Sequence, residues 1–219
     1  MADLEVEYHN TVHSSKSFQA LAYKKFCAAQ VLPSKAWLTL LNKRSKMFIN
    51  ESSFEWACWQ TPFSMSEAGL QKLISVLMSV REGPRLMAIK TLTNSWSTSR
   101  RLHEGADHAI IHPCFLCGET RMDDLSHYLE CSSFWNVLIT SANLGAEFLD
   151  LDPLSRAGLN NPSKVGFNLI ACAFLVYHAI KLEHLDESLN AIAAGDLSHT
   201  TNLARRLAEV HLQGLDVRE

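Results

Sequence analysis

The sequence predicts a mainly α fold, and three observations carry that prediction. Gly and Pro are sparse, nine and six among 219 residues, while Ala, Leu, Lys and Glu, all good helix formers, are plentiful. Apolar residues recur at i, i+3 and i+4 in several segments, each opened by a capping residue. One further stretch, "VGFNLIACAFLVYHAI" (165–180), carries no charge between Lys164 and Lys181. A bilayer span needs about 20 apolar residues, and this run contains Asn168 and His178. It therefore reads as a core helix wrapped by other helices, not as a membrane segment. With 47% hydrophobic and 20% charged residues, the composition is that of a globular chain able to bury a sizeable core.

Each element has its own local signal. Residues 1–17 are polar and poorly patterned, a loose N-terminus. "SFQALAYKKFCAAQVL" sets Phe18, Leu21, Ala22, Phe26 and Ala29 on one helical stripe, with Ser17 as N-cap and Pro33 as stop. A second helix follows from Ser34, with Trp37, Leu40 and Leu41 facing inward. The aromatic cluster "FEWACWQTPF" (54–63) reads as core. Ser66 caps the cleanest helix, in which Leu70, Leu73, Ile74, Leu77 and Met78 recur at helical spacing and which Gly83-Pro84 ends. "RLMAIKTLTNSWSTSRRLHE" reads as another helix running into a polar loop. Leu125 to Leu138 forms a helix capped by Asp123 or Asp124. Residues 141–164 give short turns and loops, and the apolar helix over 164–185 and an amphipathic one over 200–215 close the chain. The division expected is a basic helical lobe over 18–103 and a second helical lobe over 104–219.

Charge is distributed unevenly along this order. Residues 8–103 carry thirteen basic and four acidic side chains, a net +9. Residues 104–219 carry seven and sixteen, a net −9, and the first seven residues add −3. Residues 8–50 contain no acid at all. Such asymmetry marks either a polyanion-binding half or the solvated surface of a two-lobed protein.

"CFLCGETRMDDLSHYLEC" (114–131) gathers three of the six cysteines and one of the ten histidines. The N-terminal "MADLEVEYHN" is acidic and lacks an apolar core, so no secretory signal is read there. In a reducing intracellular compartment, clustered cysteines are more often metal ligands or catalytic groups than disulfides. The spacing is Cys114-x2-Cys117-x9-His127-x3-Cys131. Two thiolates in C-x-x-C on a tight turn reach one ion at about 2.3 Å, and Gly118 supplies the permissive backbone. On a helix, His127 and Cys131 lie one turn apart on one face. Three thiolates and one imidazole complete a tetrahedral Zn2+ site with no position left for water, structural in type.

A redox C-x-x-C is the competing reading. It usually opens a helix after a strand in a βαβ pattern, which is absent here, and His127 and Cys131 would be superfluous to it. Chance is the third reading. His112 is the spare ligand. His103-Glu104 with His108 is one residue too long for a zincin motif, and Asp123-Asp124 read as helix caps, not as a polymerase Asp pair. Cys27, Cys58 and Cys172 stand alone in apolar surroundings and read as small buried hydrophobes.

The stretch "TNSWSTSRRLHEGADHAIIHPCFLCGETRMDDLSHYLECSSFWNVL" resembles the zinc-binding segment at the C-terminus of non-LTR (LINE-type) retrotransposon reverse transcriptases. In that family a W-x-T-S-x-R-x-H run precedes the cysteine knuckle. Trp96, Thr98, Ser99, Arg101 and His103 match the approach; Cys114, Cys117, Leu125, His127 and Cys131 match the rest. The resemblance covers residues 90–185 fairly well and the N-terminal third only loosely. It implies a zinc-stabilised module contacting RNA or single-stranded DNA, with the remainder of a retroelement polymerase as partner. The family's (Phe/Tyr)-x-Asp-Asp palm motif is absent, so no polymerase activity and no enzyme is expected here. The expected phosphate contacts are Lys24, Lys25, Lys43, Arg44, Lys46, Arg100 and Arg101, with Trp96 stacking on a base. The alternative is a protein-interaction scaffold in which zinc only holds the fold. The competing local reading is a salt bridge from Arg101 to Glu104 or Asp107, with Trp96 in the core.

Overall fold

Caps and apolar periodicity set the helices of this computed structural model, which describes residues 67–92, 96–102, 111–158, 161–213 and 215. In order they are α1 (Glu67–Ser79), α2 (Glu82–Leu92), α3 (Ser99–Leu102), α4 (Leu125–Glu130), α5 (Ser132–Ser141), a 3-10 turn (Ala146–Phe148), α6 (Pro153–Arg156), α7 (Lys164–Glu183), α8 (Leu185–Ala193) and α9 (Leu197–Leu212). No strand occurs among the described residues, so the mainly α class holds. The expected helices over 18–50 and the aromatic cluster over 54–63 lie outside the described residues.

The chain separates into two units, Met1–Lys72 and Leu73–Glu219. The second unit begins well before residue 103, where the sequence places the boundary, because α2 packs along α7. Among the described residues, 73–92 and 96–102 thus belong to the same compact unit as the cysteine cluster.

At the centre of the second unit stands α7. Ser163 caps it by accepting the Gly166 amide at 3.0 Å, and α2, α5, α8 and α9 pack on it. The helix is long and apolar enough to cross a membrane, yet 72% of its apolar window is buried within the molecule. It is a core helix, as its neighbours require. Gly166 is needed where α7 meets the preceding loop. A Cβ there would lie 2.6 Å from the backbone nitrogen of Gly158, closer than any side chain tolerates.

On α1, Leu73, Ile74 and Leu77 are buried, the stripe that the spacing predicts. Gly83-Pro84 does not end this helix but lies in the first turn of α2. Proline fits there because an amide in the first turn has no intrahelical acceptor. Arg85 then joins the two helices, its guanidinium donating to the Val80 carbonyl at 2.9 Å. α9 starts earlier than its apolar pattern suggests, at Leu197, because Asp196 caps it through the His199 amide. Its buried face is Thr200, Leu203, Ala204, Ala208 and Leu212. α8 has no counterpart in the sequence reading; its signals are Asp186 and Glu187 in the first turn and Gly195 at φ +75° just beyond its end.

Candidate metal centre

The expected helix from Leu125 to Leu138 is two helices. Cys131, at φ −57° and ψ 102°, is the C-cap of α4 and the N-cap of α5. Its amide still donates to the His127 carbonyl at 2.7 Å, so the two side chains remain one turn apart, as their spacing requires. The extended ψ then redirects the chain, which leaves the Cys131 thiol at a corner rather than on a helix flank. Asp124 is the residue that caps α4, its Oδ1 accepting the His127 amide at 2.8 Å.

Cys114 and Cys117 sit on a tight turn. The Gly118 amide donates to the Cys114 carbonyl at 3.0 Å, and the Cys114 amide to the Glu119 carbonyl at 2.9 Å. The Leu116 amide points at the Cys114 sulfur at 3.4 Å, where it stabilises a thiolate. Gly118 has φ +72°, and a Cβ would meet Leu197 Cδ2 at 2.9 Å. Left-handed backbone and close packing on the start of α9 both call for glycine there.

These two pieces bring Cys114, Cys117, His127 and Cys131 together, with all four ligand atoms within 4.8 Å of one another. A tetrahedral zinc ion with bonds of about 2.3 Å to sulfur and about 2.05 Å to nitrogen sets S···S edges near ~3.8 Å and S···N edges near ~3.6 Å. The Sγ atoms of Cys114 and Cys131 are 3.8 Å apart, and Cys117 Sγ lies 3.3 Å from His127 Nε2. The residues fit the ion. Glu119 Oε2 stands 4.0 Å from His127 Nδ1, on the ring nitrogen facing away from Cys117, where a carboxylate favours the tautomer with Nε2 free to ligate. His112 is not one of the four.

The four side chains share their protons unevenly. Hydrogen bonding to Cys117 and then to Cys131, together with burial, pushes the Cys114 thiol far up. The same contacts with Cys114 and Cys131 push Cys117 far down. Burial opposes a charge on His127, but the sulfurs of Cys117 and Cys131 outweigh it and raise its pKa to about 10. Three thiolates cannot crowd together without positive charge between them. Protons supply some of it in the metal-free chain, and a divalent ion displaces them. An ion held by all four would have its tetrahedral shell filled by protein atoms.

The nucleic-acid candidates fall out differently. Lys24, Lys25, Lys43, Arg44 and Lys46 lie outside the described residues. Trp96 is fully buried, its ring stacked on Tyr128 at 6.0 Å and tilted against Tyr177 at 5.1 Å. Its Nε1 donates to Thr91 Oγ1 at 2.9 Å. No face of it is left for a base, which corrects the stacking role expected for it. Arg100 pairs with Asp124, Nε to Oδ2 at 3.0 Å, and donates to the Arg121 carbonyl at 3.0 Å. It is an internal clamp on the cap of α4, although its side chain remains 43% exposed. Arg101 contributes backbone to α3.

Helical spacing sets Tyr128 on the core face of α4, but the sequence reading missed Phe115 and Asp123 in the layer behind the four side chains. Phe115 and Tyr128, neighbours of the ligands in sequence, enter an aromatic core with Trp96 and Tyr177, and Tyr128 Oη accepts the Phe115 amide at 3.3 Å. Asp123, taken as a cap, is instead a buried acceptor. The one available signal was that two adjacent aspartates cannot both be the N-cap of one helix. No protein-family model, curated protein or solved structure matches this chain.

Proposed function

We propose that the chain is a zinc-stabilised nucleic-acid-binding module without polymerase chemistry of its own, akin to the C-terminal segment of non-LTR retrotransposon reverse transcriptases. One observation carries the zinc half: three thiols and an imidazole, drawn from two backbone segments, converge within 4.8 Å of one another. When bound, the ion cross-links the knuckle to the junction of α4 and α5, and the protein's own residues complete its coordination. Elemental analysis of the purified chain is expected to find one zinc per molecule, lost in Cys114→Ser. A chain that is metal-free and equally stable after chelation refutes this.

Support for the nucleic-acid half is the net charge of +9 over residues 8–103 and the Trp96-to-Cys131 motif run. With Trp96 and Arg100 committed internally, the contacts fall to Lys24, Lys25, Lys43, Arg44, Lys46 and Arg101. RNA or single-stranded DNA is the expected ligand, in an intracellular, thiol-preserving compartment. Replacing those six residues with Ala is expected to flatten the salt dependence of RNA binding by up to about 0.7 for each phosphate no longer neutralised. An unchanged slope refutes the assignment. The inward commitment of Trp96 and Arg100 favours a second reading, a zinc-held scaffold for a protein partner; salt-insensitive or absent RNA binding by the wild-type chain selects it.

A further inference from the structure

We infer that Asp123 is the positioning residue of the metal site, its buried carboxylate holding the two ligand pairs at their working separation. This rests on the zinc reading above. Cys114 and Cys117 come from one segment of backbone, His127 and Cys131 from another, and the two segments cross where the Asp123 amide donates to the His112 carbonyl at 3.1 Å. That crossing lies two residues before Cys114 and one residue before the cap of α4. Whatever fixes it fixes the gap that the ion must span.

The Asp123 side chain fixes it from two directions. Its Oδ2 accepts the Ser99 amide at 2.7 Å and the Lys181 ammonium at 3.0 Å. Ser99 closes the circuit, its Oγ accepting the His112 amide at 2.9 Å, while the Asp123 carbonyl accepts the Arg100 amide at 3.3 Å. The knuckle approach, through the Asp123 backbone, and the segment after Trp96 and the central helix α7, through its carboxylate, therefore meet at one residue. Asp123 is fully buried and the Lys181 side chain only 11% exposed. Its second oxygen, Oδ1, is buried with no protein hydrogen-bond partner. Filling space alone would favour an apolar side chain over a buried ion pair. What the carboxylate adds is direction: two donors from separate elements aligned on one oxygen.

Zinc affinity measured by chelator competition, with the visible absorption of the Co2+-substituted chain, tests this. Asp123→Asn keeps an acceptor for Ser99 but loses the charge partner of Lys181. It is expected to bind one metal per chain about 10-fold more weakly, with altered Co2+ bands. Asp123→Ala removes both contacts and is expected to lose about 100-fold, the upper range for residues behind a ligand shell. The double variant Asp123→Asn with Lys181→Met is expected to regain part of the loss, because no charge is left buried alone. Affinities within twofold of wild type and unchanged Co2+ spectra overturn the inference, even where thermal stability falls. If Asp123→Ala does not fold, Ser99→Ala decides: a several-fold loss of affinity supports the circuit, and an unchanged affinity overturns it. A wild-type chain that binds neither metal overturns the zinc reading itself, and this inference with it.

Discussion

Residues 96–101 and 114–131 are both dense in the side chains that chemistry uses, and the fold employs them in opposite ways. In the second stretch Cys114, Cys117, His127 and Cys131 turn toward a common point. In the first, Trp96 is buried among aromatics, Ser99 grips Asp123, and Arg100 clamps Asp124. One stretch offers a site and the other supports it. A ligand set is constrained by the ion's short bonds, so spacing along the chain carries its meaning. A tryptophan or an arginine is amphipathic and serves a core, a phosphate or a base equally well.

The largest effect that can break this contrast is loss of the metal. Chelation, or Cys131→Ser, is expected to unfold the knuckle and cost several kcal/mol, against on the order of 10 in small zinc peptides. Thermal unfolding followed by circular dichroism reads it directly. A melting temperature indifferent to chelation would reduce the second stretch to packing.

Next in size is Trp96→Ala, which empties the aromatic core beneath the knuckle and is expected to cost about 3–5 kcal/mol. Trp96→Phe keeps most of the ring packing and loses the bond to Thr91, about 1 kcal/mol. Urea titration measures both. If Trp96→Ala proves neutral in stability yet abolishes RNA binding, the first stretch is a contact surface after all.

Arg100→Ala is smaller. Its ion pair with Asp124 is half-open to solvent, so a loss of at most about 1 kcal/mol is expected, with the salt slope of RNA binding unmoved. A slope reduced by about one unit would return Arg100 to the nucleic-acid surface.

The smallest effect is a pH dependence at the join between the first stretch and α7. His178 receives the Ser97 amide at its Nε2, at 3.4 Å, and its Nδ1 donates to the Phe174 carbonyl at 2.8 Å. Burial, helped by Lys90 and Lys181 and opposed by the Phe174 carbonyl and Asp123, lowers its pKa. The unfolded chain therefore takes up this proton first, near pH ~6.5. Stability from this group is full at neutral pH, declines as pH falls below about 6.5, and levels off once the folded imidazole is protonated too. His178→Gln is expected to flatten that part of the stability curve. Acid loss of the metal is common to both proteins and cancels in the difference between them; equal curves would show that His178 does not titrate across this transition.

How far the sequence spoke can be judged residue by residue. The central helix was legible because sixteen uncharged residues can only be buried once a bundle surrounds them. The grouping of Cys114, Cys117, His127 and Cys131 was legible because the knuckle and the one-turn spacing are local. The break at Cys131 was not, since "LSHYLECSSFWNVL" satisfies helical periodicity throughout and only the corner geometry divides it. The proline of α2 misled for a related reason, because proline ends one helix as readily as it begins the next.

By itself, then, the sequence determined helical class, core helix and the four residues that gather as a candidate metal site, all properties set within a few turns of chain. Only the tertiary structure decided that Asp124 caps while Asp123 is buried, that Trp96 faces inward, and that Arg100 is already paired. The physical reason is range. Asp123 draws on Lys181, 58 residues away, and the Trp96 segment on Tyr177, whose hydroxyl donates to the Ser97 carbonyl from 80 residues away. Periodicity and caps carry no information about partners at that distance, and those partners decide whether a polar or aromatic side chain is presented to a ligand or kept within the fold.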